Sequence, residues 1–462
     1  MSKDRVVSTG SRIKEEGQRI KEIDTGLRIK GKTRGMKDSG VEWIGEIPED
    51  WVVQNLKSIL AERKENNNPI KTDFILSLTN DRGVIPYTEK GDIGNKSKDD
   101  LTGYKLAYPN DIVLNSMNVI IGSVGLSEYF GAVSPVYYML YPRKEEDAVE
   151  FFNYVFQTKV FQESLKGYGN GIMEHRLRIP MINLNTVMLP YPTAKEQQKI
   201  VNFLDGKVSL IDDTIEKTKQ SIEDYKKYKQ ALITETVTKG LNPDVEMKQS
   251  GIEWVGEVPK HWRIIRIKHL ATVNPNKSEI KHLSLDSEVT FIPMEKIIGP
   301  GQVDYSLSNT IENLINGYTY FKDGDIIMAK VTPCFENSNI AIVNGMKNGI
   351  GFGTTELHVL RCNDKCYNKY LFYYLQSSVF VLKGISKMYG VGGLKRVPED
   401  FVSNHKLAVP SYEEQKQIAG YLDKKCLEIG KIISQKEQLI KKLEDYKKSL
   451  IYEYVTGKKR VV

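Results

Sequence analysis

Two stretches of the chain carry apolar residues at intervals that alternate between four and three positions. In the first stretch these positions are Leu204, Val208, Ile211, Ile215, Ile222 and Tyr225. In the second they are Leu422, Cys426, Ile429, Ile433, Ile440 and Leu443. Each stripe is broken by one polar residue at the same heptad position, Thr218 or Lys436. Heptad spacing of this kind predicts two helices that bury the stripes against each other as a coiled coil.

The local sequence also predicts where both helices begin and end. Residues 193–196 and 411–414 each match a capping box just after a proline, and Gly240 and Gly457 provide C-terminal stops. A helix over residues 194–239 would be about 69 Å long, whereas a domain of about 160 residues is only about 40 Å across. A short link then returns the chain, so we expect the second helix to run antiparallel to the first, with pseudo-twofold symmetry.

The chain also repeats itself outside the stripes. The segment MKDSGVEWIGEIPEDW at Met36–Trp51 returns as MKQSGIEWVGEVPKHW at Met247–Trp262, with ten of sixteen residues identical. The helix starts repeat as EQQKIVNFLD from Glu196 and EQKQIAGYLD from Glu414, but the middles barely resemble each other. Similar frames around different centres predict a protein that docks in the same way on both sides and recognises two different things.

These patterns predict an α+β fold with two similar globular domains joined by the two long helices. Buried strands entered from a turn are expected at Asp111–Leu114 and Asp325–Met328. We expect removal of the basic N-terminal tail to leave folding unchanged. The predicted segments are the tail, 1–35; a first domain, 36–192; a first helix, 193–240; a linker, 241–246; a second domain, 247–410; and a second helix, 411–458.

Composition narrows the class of protein. The 462 residues are 40% hydrophobic and 27% charged, and they contain neither an apolar run long enough for a membrane span nor a signal-peptide core. All four cysteines lie in the second half, so the repeat does not preserve a disulfide framework. A reduced, cytoplasmic setting is expected.

The net charge of +7 does not by itself indicate DNA binding. Residues 1–35 hold 10 basic and 5 acidic side chains, which leaves +2 for the rest. Residues 36–190 hold 16 basic and 21 acidic side chains, and residues 247–410 hold 19 and 15. Any surface that faces phosphates must therefore come from local clustering.

With the openings GVEWIGEIPEDW and GIEWVGEVPKHW, the EQ-initiated helices and the variable centres, residues 36–458 resemble the specificity subunit of type I restriction-modification enzymes. The resemblance implies two target-recognition domains, each reading one half of a split site in double-stranded DNA. It implies spacer helices that bind two methyltransferase subunits, and motor-nuclease subunits where the full enzyme exists. The chain itself would be non-catalytic and without a cofactor, while S-adenosylmethionine, ATP and magnesium would serve the partner subunits.

Base reading is then expected from polar and basic loop residues of the divergent centres, because amides pair with adenine and arginine pairs with guanine in the major groove. The candidates in the first head are Asn115, Asn118, Asn170, His175, Arg176 and Arg178. Those in the second head are Lys330, Asn337, Lys387, Lys395 and Arg396. The shared tryptophans cannot explain two specificities, so a core or docking role is favoured for Trp43, Trp51, Trp254 and Trp262.

Three short motifs suggest other chemistry, and we interpret each as coincidental. Residues 26–33 match the GxxxxGK[ST] phosphate-binding pattern, but no apolar strand precedes them. Residues 244–248 place two acids and a lysine in the linker, without a strand to fix a metal. His358, Cys362 and Cys366 lack a fourth ligand and the tight pairs of a zinc site, so no metal site is predicted.

One alternative stays open. The first head carries five more acidic than basic residues (16 against 21), which would suit a coiled-coil adaptor whose two heads bind protein partners. Duplicated frames around divergent centres favour DNA recognition instead.

Overall fold

A computed structural model of the chain describes residues 34–80, 82–91, 100–169, 177–391 and 393–461. These residues divide into two compact units that do not follow chain order. The first unit contains the described residues up to Glu216 and those from Ile440 onward, and the second unit is Lys217–Leu439. Each long helix therefore contributes to both units. The segments predicted from the sequence divide the chain in order, whereas each compact unit combines one head with parts of both long helices.

The first head alternates short strands with short helices. Its strands are β1 Met36–Asp38, β2 Glu46–Pro48, β3 Val52–Asn55, β4 Leu60–Arg63, β5 Leu76–Thr79, β6 Gly83–Pro86, β7 Lys105–Ala107, β8 Ile112–Asn115, β9 Val124–Leu126, β10 Gly131–Val133, β11 Tyr137–Pro142 and β12 Met188–Tyr191. Its α-helices are α1 Leu56–Ile59, α2 Val149–Gln157, α3 Lys159–Ser164 and α4 Met181–Leu184, with 3₁₀ turns at Tyr87–Glu89, Val119–Ile121 and Leu165–Tyr168.

A four-stranded antiparallel sheet, in the order β4-β11-β8-β9, is the centre of the first head. Ile112, Val113 and Leu114 of β8 are fully buried in succession. A strand buried on both faces has this continuous apolar pattern. Helix α2 lies against β9, and β5, β6, β7 and β10 contribute to the cluster around Val113. The strand that was predicted at this point is confirmed.

The first long helix is α5, Ala194–Lys239, and the second head follows it. The strands of the second head are β13 Met247–Gln249, β14 Glu257–Pro259, β15 Arg263–Arg266, β16 Ala271–Val273, β17 Glu288–Ile292, β18 Ile297–Gly299, β19 Gln302–Val303, β20 Ser308–Thr310, β21 Thr319–Lys322, β22 Ile326–Ala329, β23 Ile340–Ile342, β24 Ile350–Gly353, β25 Leu357–Cys362 and β26 Lys406–Val409. Its α-helices are α6 Ile311–Leu314, α7 Asn368–Gln376, α8 Ser378–Lys387 and α9 Glu399–Asn404, with 3₁₀ turns at Ile267–His269, Lys277–Ile280, Met294–Lys296 and Lys347–Gly349. The second long helix is α10, Tyr412–Val455.

The second head contains the same central sheet, in the order β16-β25-β22-β23. Hairpins β1-β2 and β13-β14 correspond to each other, as do the pairs β3-β12 and β15-β26. The second head adds a four-stranded sheet, β20-β17-β24-β21, in which β17 and β24 are parallel. In the described part of the first head its counterpart is smaller: β10 pairs antiparallel with β7, and a single parallel bridge joins Ala132 of β10 to Ile75. The frames agree and the centres differ, as the duplication predicts.

Both central strands start at a buried aspartate that is satisfied in the same way. The Asp111 carboxylate accepts the Tyr108 backbone N–H at 2.9 Å and the Arg63 guanidinium at 2.8 and 3.1 Å. The Asp325 carboxylate accepts the Lys322 N–H at 2.8 Å and the Arg361 guanidinium at 2.8 and 2.7 Å. Arg63 lies on β4 and Arg361 on β25, so different strands supply the cation that an ionised buried acid requires.

The two long helices pair antiparallel within each unit. In the first unit Phe203 stacks near Tyr454, with ring centroids 4.4 Å apart, and Asp212 pairs with Lys447 at 2.6 Å. In the second unit the Lys436 ammonium lies 6.0 Å from the Tyr225 ring, while residues 233–237 share a core cluster with residues 418–422. The antiparallel pair that the heptads predict is confirmed.

The stripe residues lie along this contact. The buried ones, at 7% exposure or less, are Leu204, Ile211, Ile215, Ile222, Leu422, Ile429 and Leu443. The half-buried ones are Val208, Tyr225, Cys426, Ile433 and Ile440. The polar interruptions Thr218 and Lys436 are also buried, at 1% and 7% exposure.

Candidate nucleic-acid interface and the joints that hold it

The duplicated frame of the first head meets both long helices at Trp51. The Trp51 indole, 1% exposed, donates its Nε1–H to Glu196 Oε2 at 2.9 Å. Gly457 ends α10 with a φ of +72°, and a Cβ there would lie 3.2 Å from Trp51 and 2.4 Å from Pro48. Glycine is therefore required both by the backbone and by the close approach of the indole. We call Trp51, Glu196 and Gly457 the first joint.

The second unit repeats this arrangement with the helices exchanged. The Trp262 indole donates to Glu414 Oε1 at 3.1 Å, and a Cβ on Gly240, whose φ is +78°, would lie 3.3 Å from the indole. Trp262, Glu414 and Gly240 form the second joint. Each joint thus combines the start of one long helix with the end of the other. The docking role favoured from the sequence for the two tryptophans agrees with this geometry.

The other repeated residues of the helix starts also bind the heads. Asp205 accepts the Tyr154 hydroxyl at 2.7 Å, and Asp423 accepts the Tyr373 hydroxyl at 2.8 Å. Burial first, and then the aspartate, raise the pKa of both tyrosines, so both hydroxyls remain donors at neutral pH. Gln197 and Gln415 complete the set by accepting the N–H groups of Ala148 and Tyr367. The repeated letters E, Q and D therefore encode head-to-helix contacts.

The two joints differ in the basic residue that lies beside the glutamate. Arg34 donates to Glu196 at 2.6 Å and to Asp50 at 2.6 Å, and its guanidinium lies 5.6 Å from the Trp51 ring. Its hydrogen bond is the main cause that lowers the pKa of the Asp50 carboxyl. In the second joint the cation's place is taken by His261, whose Nε2 lies 2.9 Å from Glu414. Arg34 was placed in the tail on sequence grounds, but it contacts the first joint.

The second tryptophan of each frame shows a further difference. Trp43 is 7% exposed and packs edge-on against Phe161, with centroids 5.1 Å apart. Trp254 is 41% exposed, and the Lys383 ammonium covers its ring at 4.2 Å. A cleft of about 570 Å³ opens beside Trp254 and is lined by α8 and α9.

The described candidate base-reading residues of the first head lie at or beside the carboxyl end of β8. Asn115 is half-buried, and its Oδ1 accepts the Met117 N–H at 3.0 Å. Asn118 follows in the same loop, and the Ile179 N–H bonds to Ser116 at 2.9 Å, which brings the exposed Arg178 beside this loop. The remaining three candidates, Asn170, His175 and Arg176, lie outside the described residues.

In the second head the candidates gather at the corresponding end of β22. The Val397 N–H bonds to Lys330 O at 2.8 Å, and Thr332 and Lys395 bond through the backbone at 3.0 Å. The Arg396 guanidinium is held by Glu356 at 2.9 and 2.8 Å, and this contact lowers the pKa of the Glu356 carboxyl.

Two further candidates of the second head are exposed. Lys387 ends α8, and Asn337 lies in the turn after Pro333. Neither placement tests DNA contact, so all the base-reading residues stay predictions. No sequence pattern pointed to Lys105, which lies on β7 but reaches the β8 end of the first head.

The coincidental motifs have ordinary structural roles where they are described. Glu246 pairs with Lys260 at 2.6 Å, and Lys248 donates to Trp262 O. His358 Nε2 lies 2.9 Å from Val397 O. Within the described ranges no group of three or more His, Cys, Asp or Glu residues could hold a metal ion, and residues 26–33 fall outside them. No helix of the described chain is both long and apolar enough to cross a membrane.

Comparison with known proteins decides the family. The profile of the type I restriction modification DNA specificity domain matches twice, over residues 48–224 and 259–445. The chain belongs to this family. The resemblance read from the duplicated frames is confirmed, and the two matches fall on the two heads with their helices.

Curated relatives support the family assignment, some by a short match of higher identity and one by a nearly full-length match of lower identity. The chain is 41% identical over 165 residues to the EcoAI specificity subunit and 39% identical over 171 residues to the EcoEI specificity subunit, both of Escherichia coli. These matches span only 27% and 28% of the two relatives, and 35% and 36% of this chain. The putative MjaX specificity subunit of Methanocaldococcus jannaschii is 25% identical over 449 residues, which cover 90% of this chain and 96% of the relative.

Solved structures share the fold of this specificity protein. A chain of a type I R-M system, solved to describe complex assembly and conformational transition, aligns with a TM-score of 0.67 and 13% identity, over 88% of this chain and 98% of that chain. The HsdS subunit from Thermoanaerobacter tengcongensis aligns with a TM-score of 0.51 and 14% identity, over 89% and 98%. At such identities the likeness concerns the fold alone.

Proposed function

We propose that this chain is the DNA-recognition subunit of a type I restriction-modification complex, with one head for each half of a bipartite site. The observation that carries the proposal is the pair of joints. Identical chemistry anchors Trp51 and Trp262 to the long helices, while the centres between the joints differ in sheets and in loop residues. Two heads that attach to the helices in the same way but differ in their central parts are suited to recognise two different sequences in one duplex.

The base-reading surface is proposed at the ends of β8 and β22. Asn115, Asn118 and Arg178 offer amide and guanidinium groups in the first head, and Lys330 and Lys395 offer ammonium groups in the second. These groups can hydrogen-bond to base edges in the major groove. Arg396 is held by Glu356, so it would have to exchange that carboxylate for DNA.

Methyltransferase subunits are proposed to dock on the long helices. Both helices carry large apolar or aromatic side chains that are exposed in this chain and that a partner subunit could bury. These are Leu210, Tyr228, Tyr421 and Leu427, with exposures of 48%, 48%, 36% and 60%. S-adenosylmethionine would be bound by those subunits, and ATP and magnesium by motor-nuclease subunits.

The test is reconstitution of the full chain with its methyltransferase subunits on a library of random duplexes. We expect methylated adenines in one bipartite sequence with a fixed gap, and retention of that duplex that weakens steeply as salt rises. The chain alone is expected to transfer no methyl group. Retention without sequence preference, or binding to protein partners only, would favour a coiled-coil adaptor and refute the proposal.

A further inference from the structure

Lys105 holds an unusual position in the first head. It starts β7, yet its ammonium donates to the Tyr137 carbonyl on β11 at 2.8 Å and lies 5.3 Å from the Tyr138 ring. Tyr137 pairs with Asn115 in the sheet register. The Lys105 ammonium is therefore fixed near the end of β8, where the candidate base-reading loop begins.

Two more cations flank the same segment. Arg63 pairs with Met139, so the next residue, Lys64, comes level with Tyr138. Arg178 precedes Ile179, whose carbonyl accepts the Tyr138 hydroxyl at 3.3 Å. The β-sheet register and this hydrogen bond thus bring Lys64, Lys105 and Arg178 to the same end of the central sheet, around Tyr138. Burial is the main cause that lowers the pKa of Lys105; the Glu62 carboxylate raises it, and the Arg178 and Lys64 cations lower it further.

The charges around Lys105 are incompletely balanced. Lys64 lies 3.7 Å from Glu62 and is 79% exposed. Lys105 makes no ion pair with a carboxylate of the described chain; it contacts a neutral carbonyl and an aromatic ring instead. An ammonium has three N–H groups, so two remain for another acceptor. A half-buried cation beside other cations gains most from an anion.

We propose that Lys105, Lys64 and Arg178 form a binding site for one DNA backbone phosphate, which fixes the duplex beside Asn115 and Asn118. This site rests on the proposed function and adds to it a division of labour. Phosphate contacts set the position of a protein on the duplex, while base-edge contacts set the sequence. Lys105 and Arg178 are thereby assigned to position and not to specificity, so Arg178 leaves the set of base-reading candidates and Asn115 and Asn118 remain in it. No local sequence pattern marks Lys105.

The experiment uses the full chain with its methyltransferase subunits and measures DNA affinity between 50 and 200 mM salt. Lys105→Met keeps the length of the side chain and removes the charge. For one lost phosphate contact, the slope of log affinity against log salt should become shallower by about 0.9. Between 50 and 200 mM salt the variant should therefore lose about three-fold less affinity than the wild type does. The loss at low salt should be equal on the cognate duplex and on one with a scrambled first half-site.

Two controls accompany this variant. Lys57→Met removes an exposed lysine of α1 in the same head and should leave the slope unchanged. Lys105→Arg should restore the wild-type slope. If Lys105→Met lowers the folded fraction, the exposed Arg178→Met replaces it in the same measurement.

The outcomes separate the two proposals. Failure of the wild-type complex to bind DNA specifically would refute the proposed function. Specific binding with an unchanged slope in both charge-removing variants would overturn the phosphate site alone. A loss confined to the cognate duplex, or a changed methylation sequence, would also overturn it, because it would make Lys105 a reader of bases.

Discussion

Glu196 and Glu414 stand where a capping box requires a glutamate, but each carboxylate is used by an indole. Their partners Trp51 and Trp262 lie 145 and 152 positions away in the chain. The local spacing therefore located the helix starts correctly, since α5 begins at Ala194 and α10 at Tyr412. It could not reveal the joints, because a capping pattern describes only neighbouring residues.

At Arg34 the structure changes an expectation drawn from the sequence. Deletion of residues 1–35 was expected to be harmless, but it would remove the cation that bridges Glu196 and Asp50. We expect Arg34→Met to lower the free energy of unfolding by about 1–2 kcal/mol, mainly through the bond to Glu196, since the Arg34 and Glu196 side chains are only 18% and 22% exposed. The bond to Asp50, which is 65% exposed, should add little. Urea denaturation of the full chain measures this.

The matched control for Arg34 is His261→Met in the second joint. Its side chain is 52% exposed, so the loss should stay below about 1 kcal/mol. An equal or larger loss for His261→Met would show that exposure does not govern the strength of these contacts.

His405 predicts a pH dependence of stability. It is 4% exposed, with Nε2 2.9 Å from the Tyr374 hydroxyl and its ring against Phe380 at 5.0 Å. Burial first, and then the Lys383 ammonium, lower its pKa to about 4 from the ordinary 6.5. Because the fold prefers the neutral ring, this stability is complete above pH 6.5 and is lost as pH falls towards 4.

The comparison for this pH dependence is the stability of His405→Gln against wild type from pH 7 to pH 4. Wild type is expected to be the more stable at pH 7, and the difference should narrow as pH falls. His282→Gln, at an exposed position, should follow the wild-type curve. A difference that stays constant across the range would contradict the buried neutral histidine.

On the scale of elements, the heptad stripes were the most predictive feature of the sequence. Periodicity reports which face of a helix is buried, so even the polar Thr218 and Lys436 could be placed on the seam. Strand pairing was less accessible. β17 and β24 are parallel partners with Thr290 opposite Gly351, and short strands so far apart in sequence carry no mark of their register. The parallel pairing of β17 with β24, and the shorter parallel bridge of Ile75 with Ala132 in the first head, were therefore not predicted.

A charge introduced into the seam should destabilise helix pairing more on α5 than on α10, because the two positions compared differ in burial. Ile215→Asp places a carboxylate at a position 7% exposed and should cost several kcal/mol of helix pairing, about 3–5 by analogy with other unpaired buried charges. Ile433→Asp, at a half-buried position, should cost less. Co-purification with methyltransferase subunits and urea denaturation measure the effect.

Leu427→Asp tests the same chemistry on α10 at a position 60% exposed. It should leave denaturation unchanged, so that any loss of co-purification there reports subunit docking and not helix pairing. Normal stability of Ile215→Asp would show that the stripe is not a buried seam.

For the whole molecule, the modular plan predicts that one centre can be exchanged alone. The structure places clean boundaries before β4, which starts at Leu60, and before β12, which starts at Met188. Replacing residues 60–187 with the matching centre of a related subunit should change one half of the methylated sequence and keep the other half and the gap. Methylation mapping reads the result, and a change in both halves would contradict independent heads.

Helix length should control the gap instead. One heptad added to both α5 and α10 lengthens each by about 10.5 Å, or roughly three base pairs of duplex. Both half-sites should be retained while the permitted gap changes, again by methylation mapping. A heptad added to α5 only serves as the control, because it breaks the paired seam and should abolish assembly.

The joints also impose an order on synthesis. The Tyr452 hydroxyl bonds to the Trp43 carbonyl across 409 positions of chain, and Lys458 reaches Ile44 O across 414. The first unit therefore needs residues that are translated after the whole of the second unit, which ends at Leu439. At about 5 to 20 residues per second, Trp43 waits roughly 20 to 80 s on the ribosome for its partner Tyr452. The first head is thus translated before the second but is completed after it.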